Sequence, residues 1–212
     1  MRPTPTWFRL LVHLFAALPL IILISQALTD NLTANPIQAV TQRTGQAAII
    51  GLLLTLSGTP LHTLTGWTWG LGMRRALGLW AGFYALLHFL TFTLLDYALD
   101  WKQIGRAVVE KPFILVGLIA LGTLVPLSLT STRSAMRRMG AAWKRLHRLT
   151  YLAAGAAVGH YLLAAKADFA PQPLVYGGIL GLLMVLRIPQ IKRGLVRLRL
   201  KLQARPETPV RD

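Results

Sequence analysis

The chain has 212 residues, 54% of them hydrophobic and 14% charged, with a formal net charge of +16 and no cysteine. The missing cysteines exclude thiol catalysis, disulfides, iron–sulfur clusters and thiolate zinc sites together, so any redox chemistry must belong to a bound cofactor. A charge of +16 would suit nucleic acid, but its distribution along the chain assigns it to membrane topology instead.

The apolar residues are gathered into runs. Six stretches of about 17 to 25 residues with almost no charge, the length that crosses a ~30 Å hydrocarbon core, fall at 8–28, 44–61, 76–99, 112–130, 143–165 and 173–190. They predict an all-α membrane protein: a six-transmembrane-helix bundle over residues 1–190, a basic cytoplasmic tail over 191–212, and no room for a separate soluble domain. No internal repeat and no low-complexity segment is legible.

The first run continues into "TDNLTANP" without a small-residue cleavage site, so it reads as a retained helix, kinked at Pro19. The loop after the second run carries Arg74 and Arg75, and the one after the fourth carries Arg133, Arg137, Arg138, Lys144 and Arg145. With Arg2 and Arg9 at the start and eight cations from Arg187 to Arg211, these define one face. The opposite face has Arg43, Lys102, Arg106, Lys111 and Lys166, together with Asp30, Asp96, Asp100, Glu110 and Asp168. That asymmetry puts both termini in the cytoplasm. Trp7, Trp67, Trp69, Trp101 and Trp143 fall near predicted span ends, where an amphipathic ring suits the headgroup layer. Gly177, Gly178 and Gly181 follow no strand, which excludes a dinucleotide fingerprint and leaves helix packing. The tail interleaves leucines with cations and reads either as a helix on the anionic inner leaflet or as a solvated segment.

Five histidines remain: His13, His62, His88, His147 and His160. An ionisable group inside a span is costly and marks function by default. His88 lies about 18 Å from the cytoplasmic end of the third run, and His160 about 9 Å from the outer end of the fifth. The two can share a depth in the outer half of the bilayer. Facing each other across a bundle, they would supply both axial ligands of a heme, filling six-coordinate iron and favouring electron transfer over oxygen binding. The bland alternative is two unrelated histidines, each hydrogen-bonded to a neighbouring helix. His147 begins "HRLTYLAAGAAVGH" and would lie about 19.5 Å from His160 on one helix, with the two side chains roughly 140° apart. A second heme there would need a partner; thirteen and fourteen residues before His88 stand Arg75 and Arg74, which cannot ligate iron, while His13 and His62 have suitable depth. The alternative for His147 is a loop histidine binding a propionate, alongside Arg145 and Arg148.

The stretches "NPIQAVTQRTGQAAIIGLLLTLSGTPL", "RRALGLWAGFYALLHFLTFTLLD", "TSTRSAMRRMGAAWKRLHRLTYL" and "HYLLAAKAD" resemble the MsrQ family, heme-binding membrane subunits of bacterial MsrPQ systems within the ferric reductase-like transmembrane superfamily. The resemblance covers nearly the whole chain. It implies a multi-pass protein of the bacterial inner membrane that takes electrons from the quinone pool and delivers them to MsrP, a periplasmic molybdopterin enzyme that reduces methionine sulfoxide. On this reading the chain is an electron-transfer subunit that does not itself reduce the sulfoxide. The implied cofactors are heme b, one or two, and FMN, and the family's heme histidines map onto His88, His147 and His160. Relatives often carry a histidine where this chain reads Gln42 in "TQRTG", and no phosphate loop places the FMN. Competing with this reading are a transmembrane ferric or oxygen reductase fed by a separate cytoplasmic flavin reductase, and a heme-free scaffold.

Overall fold

A computed structural model describes residues 4–165 and 171–203, and among these every regular element is helical. In chain order they are α1 (Thr6–Leu28), α2 (Pro36–Thr65), α3 (Trp69–Leu90) with a π-helical continuation (Thr91–Asp96), α4 (Trp101–Glu110), α5 (Pro112–Leu129), α6 (Arg133–Met139), α7 (Ala141–Leu146), α8 (Leu149–Ala164), α9 (Gln172–Val185) and α10 (Pro189–Gln203). All six predicted apolar runs lie on helix. α1, α2, α3 with its π turn, and α5 are long and apolar enough to cross a bilayer, and α9 with α10, bent by 76°, counts as a fifth, broken span. The run at 143–165 is divided. The backbone at His147 and Arg148 tightens into i→i−3 bonds, from Arg148 N to Arg145 O and from Thr150 N to His147 O, so α7 ends there and α8 rises only about 24 Å. Length and composition therefore support four or five spans where the sequence reading expects six, and His147 and His160 stand on different helices.

α2 is the hub. Asn35 caps it, its side chain accepting from Gln38 N at 3.1 Å, Pro36 occupies the first turn, and Gly66 closes it at φ +78. Its residues Ile49, Leu53 and Leu56 pack with Ala154 and Val158 of α8 and Leu183 of α9, while Leu52 meets Ala81, Leu124, Leu127 and Ala153. α2 and α3 approach through small residues: a Cβ on Gly51 would lie 3.0 Å from that of Ala81, and one on Gly58 would lie 2.7 Å from the Gly70 carbonyl. Of the three glycines of α9, Gly177 meets Val158 of α8, whereas Gly178 and Gly181 face open space.

A proline inside a span leaves a carbonyl with no partner one turn back, and lipid offers none. In α1, one residue beyond Pro19, the Tyr84 hydroxyl is inserted into the helical ladder, donating to Ala16 O at 2.7 Å and accepting from Leu20 N at 3.2 Å. In α2, Pro60 cannot donate to Leu56 O, and the Arg187 guanidinium from the α9–α10 bend donates to it instead; its other nitrogen donates to the Tyr151 hydroxyl at 2.6 Å. Arg199 of α10 donates to His62 O at 2.9 Å and Thr63 O at 3.2 Å, carbonyls in the last turn of α2. The basic stretch predicted as a tail is thus helical through Gln203 and docked on α2, while 204–212 fall outside the described residues.

At the other end of the bundle Asp100 caps α4, accepting from Lys102 N and Gln103 N at 3.0 Å each and from Gln103 Nε2 at 2.9 Å. The Gln103 backbone and side-chain bonds hold its carboxyl below the usual carboxylate range.

Tyr84→Phe removes the inserted hydroxyl and leaves Ala16 O and Leu20 N without the group that bridges them. It is expected to destabilise the bundle by about 1–3 kcal/mol, read as a lower Tm in detergent; an unchanged Tm would contradict the insertion.

Candidate functional site

His88 is on α3 and His160 on α8, and the bundle brings the two rings together edge to face. Their ring centroids are 5.9 Å apart and the ring planes are inclined by 79°. Each ring is held from behind in the same way. His88 Nδ1–H donates to Thr41 O of α2 at 2.8 Å, and His160 Nδ1–H donates to Phe113 O of α5 at 2.6 Å. A main-chain carbonyl can only accept, so both rings carry their proton on Nδ1 and keep the Nε2 lone pair free.

One turn after each anchoring carbonyl stands a glycine. A Cβ on Gly45 would lie 3.1 Å from His88 Nδ1, and one on Gly117 only 2.8 Å from His160 Nδ1. A side chain at position 117 would force the His160 ring to shift, while one at position 45 would crowd His88 more mildly.

The two rings share a cavity of about 580 Å³, within the ~300–1,000 Å³ typical of cofactor sites. Its floor is apolar, with Leu52, Ala85, Leu124 and Ala157, and its mouth is polar. There Lys111 Nζ donates to the Tyr97 hydroxyl at 3.3 Å, and Gln46, Tyr161 and Gln172 form a small network, with Tyr161 OH donating to Gln172 Oε1 at 3.1 Å. Lys111 is the only cation among the described residues that line it. The π turn contributes directly: Leu99 N reaches back to Thr93 O at 2.8 Å, and the widened helix carries Phe92, Asp96 and Tyr97 onto the cavity wall. Ala98 and Leu99 follow at φ +47 and +61, a left-handed pair of non-glycine residues and hence a strained exit.

The halves of the site are related. Thr41, Gly45 and His88 reappear as Phe113, Gly117 and His160, each 72 positions later in the chain. Eleven pairs of lining residues obey the same offset, and five of them are identical: Gly45/Gly117, Ala48/Ala120, Leu52/Leu124, Ala85/Ala157 and His88/His160. The α2–α3 and α5–α8 pairs are therefore two copies of one ring-bearing unit, a repeat the sequence reading missed. Outside the cavity the offset keeps fewer identities, among them Leu77/Leu149, Ala81/Ala153 and Leu90/Leu162.

The remaining histidines do not join the pair. His147 stacks on Trp143 at 3.8 Å, with Nδ1 3.1 Å from Trp143 O and Nε2 3.4 Å from Ser131 Oγ. His62 Nδ1 lies 3.3 Å from Trp67 O, and His13 Nδ1 accepts from Trp80 Nε1 at 3.0 Å. Gln42 lines the cavity without bearing on the ring pair, and Arg145 and Arg148 lie away from it.

The heme expected from the sequence can be tested against this geometry. An iron held between two imidazoles at bonds of about 2 Å sets the ring centres roughly 6 Å apart, and they are 5.9 Å apart. No group of three or more histidine, cysteine or acidic side chains is placed to hold a metal among the described residues. Two nitrogen donors alone leave four positions for a macrocycle, and the residues fit the group.

Residues 44–158 match the family of ferric reductase like transmembrane components. A protein-methionine-sulfoxide reductase heme-binding subunit MsrQ from Rhodospirillum rubrum is 44% identical over 187 residues, covering 87% of this chain and 89% of the relative. One of the same name from Herminiimonas arsenicoxydans is 41% identical over 189 residues, covering 88% and 86%.

Gly117→Ala is expected to cost more heme than Gly45→Ala, because its Cβ meets the ring at the shorter distance. The Soret absorbance per chain, compared at matched monodispersity, checks the order. Wild-type heme content in Gly117→Ala would show that the ring seats do not matter.

Proposed function

Because the chain belongs to the ferric reductase-like transmembrane family, and within it to the MsrQ heme-binding subunits, we propose that it is the membrane electron-transfer subunit of a methionine sulfoxide reductase system. The single observation that carries this reading is the facing pair His88 and His160, 5.9 Å apart, each with Nδ1–H anchored to a carbonyl and Nε2 free. His88 and His160 would hold a heme b, which would supply a one-electron redox centre there.

The chain's own part is to hold, orient and insulate that centre. Thr41 O and Phe113 O fix both tautomers and ring directions and raise the basicity of the free nitrogens. Leu52, Ala85, Leu124 and Ala157 keep water from one side of the cavity, and Lys111 with Tyr97 at the mouth offers donors for the carboxylates of the group.

We place six spans in the bacterial inner membrane with both termini cytoplasmic, α7–α8 serving as the fifth crossing and α9 with the start of α10 as the sixth. The positive-inside distribution supports that orientation, and it opens the cavity mouth towards the periplasm. There a periplasmic MsrP-like molybdopterin subunit takes the electrons, while membrane quinone and FMN stand on the donor side. A second heme at His147 is the alternative stoichiometry. It is favoured by an Nδ1 contact with Trp143 O of the kind that anchors the other two rings; against it, the 72-residue offset pairs His147 with Arg75, which cannot ligate iron.

Oxidised and dithionite-reduced spectra of the detergent-purified protein are expected to show a low-spin b-type heme that His88→Ala and His160→Ala each abolish. A quinol should reduce it and the MsrP-like partner reoxidise it; reoxidation by Fe(III) but not by the partner would refute the assignment. A heme-to-chain ratio near one, unchanged in His147→Ala, is expected for the single-heme arrangement, and a ratio near two that falls by half in this variant would establish the second.

A further inference from the structure

A second pocket, of about 380 Å³, lies at the end of the bundle opposite the cavity mouth, between the start of α1, the start of α3 and the first residue of α6. Arg9, Arg75 and Arg133 line it together with His13 and Thr4. Arg9 Nε donates to Thr4 Oγ1 at 3.1 Å. Since Trp80 Nε1–H donates to His13 Nδ1 at 3.0 Å, the remaining ring proton of His13 sits on Nε2 and makes it a donor. The polar side of the pocket is therefore three guanidiniums and an imidazole N–H, with the one hydroxyl already accepting.

Among the described residues no carboxylate balances them. The acidic side chains among the described residues are Asp30, Asp96, Asp100 and Glu110, all at the far end of the bundle. Arg9 and Asp30 alone are separated by nearly the whole of α1, roughly 30 Å. Three cations without a counter-charge among the described residues suit an anion, and guanidinium forks match phosphate oxygens.

The rest of the wall is hydrocarbon: Phe8, Val12, Ala76 and Leu79. Beside it Trp7, Phe8, Trp67 and Trp69 form a continuous aromatic cluster, with ring centroids 5.2 to 6.5 Å apart, the composition of a headgroup-level belt. Gly72 lets the N-terminal segment close the pocket, since a Cβ there would lie 2.6 Å from Thr4 Cγ2.

We propose that this pocket is a binding site for one anionic phospholipid, its phosphate on Arg9, Arg75 and Arg133 and an acyl chain along the Phe8–Val12–Leu79 wall. The uncompensated positive charge selects a lipid anion over a neutral quinone, and the apolar wall selects a lipid over free phosphate. The site pins α1, a helix with only Val12 and Leu23 buried, to α3.

The test is native mass spectrometry of the full-length, heme-loaded protein released from nanodiscs of equal parts phosphatidylglycerol and phosphatidylcholine. Wild type is expected to retain phosphatidylglycerol about tenfold over phosphatidylcholine, a difference of roughly 1.4 kcal/mol. The triple variant Arg9→Gln, Arg75→Gln, Arg133→Gln should lose that preference with its heme spectrum intact. The triple Lys192→Gln, Arg193→Gln, Arg197→Gln on α10, which lowers the charge of the same face outside the pocket, should keep it. Should the first triple not fold, Arg133→Gln alone, on an exposed residue of α6, is expected to reduce the preference severalfold. Millimolar inorganic phosphate should not displace the lipid, and displacement would reassign the site to free phosphate. Equal retention of the two lipids, a preference untouched by Arg133→Gln, loss in the α10 triple only, or a co-purifying quinone in place of lipid would each overturn the proposal.

Discussion

The arrangement of the bundle depends on two hydrogen bonds that each join an imidazole to the main chain of the adjacent helix. Thr41 O and Phe113 O fix the proton on Nδ1, and Gly45 and Gly117 clear the space one turn later. A carbonyl partner has an advantage over a carboxylate at this depth, because it brings no charge to desolvate. It also ties ring position to helix position: α2 cannot slide along α3, nor α5 along α8, without dragging a ring out of register. The tight α2–α3 seam at Gly51/Ala81 and Gly58/Gly70 is thus part of the site's geometry.

A second constraint is the bilayer's refusal to satisfy backbone polar groups. The chain places prolines inside α1, α2 and α5, and beside two of them a side chain from elsewhere bonds into the backbone ladder. Tyr84 does so in α1, and Arg187 does so at Leu56 in α2. Arg199 treats the end of α2 as Arg187 treats its interior. These contacts give two basic residues of the C-terminal region a structural task beyond setting orientation, and they explain why α10 turns 76° away from α9 to lie against the hub.

Much of this was legible in the sequence because hydrophobicity in runs is a one-dimensional signal. The apolar stretches, the mid-depth position of His88 and its pairing with His160 all follow from counting residues along spans. The turn at His147 was not legible, since Trp143 to Thr150 has neither a proline nor a glycine to break it, and composition continues across it. The ring seats were hidden for another reason: a main-chain carbonyl leaves no mark in the sequence, and a glycine in a membrane helix has many uses. The offset of 72 was recoverable in principle, from the five identical lining pairs and a few more such as Ala81/Ala153, but these are scattered among many positions that differ.

α1 has a consequence for assembly. It leaves the ribosome before α3, yet the hydroxyl that bridges its rung beside Pro19 belongs to Tyr84, more than sixty residues later. Until α3 has entered the bilayer, the rung between Ala16 O and Leu20 N, next to Pro19, lacks the hydroxyl that bridges it. Its final docking is therefore a late, post-insertion event, and a translocon or chaperone that shelters the early hairpin would have its work to do in that interval.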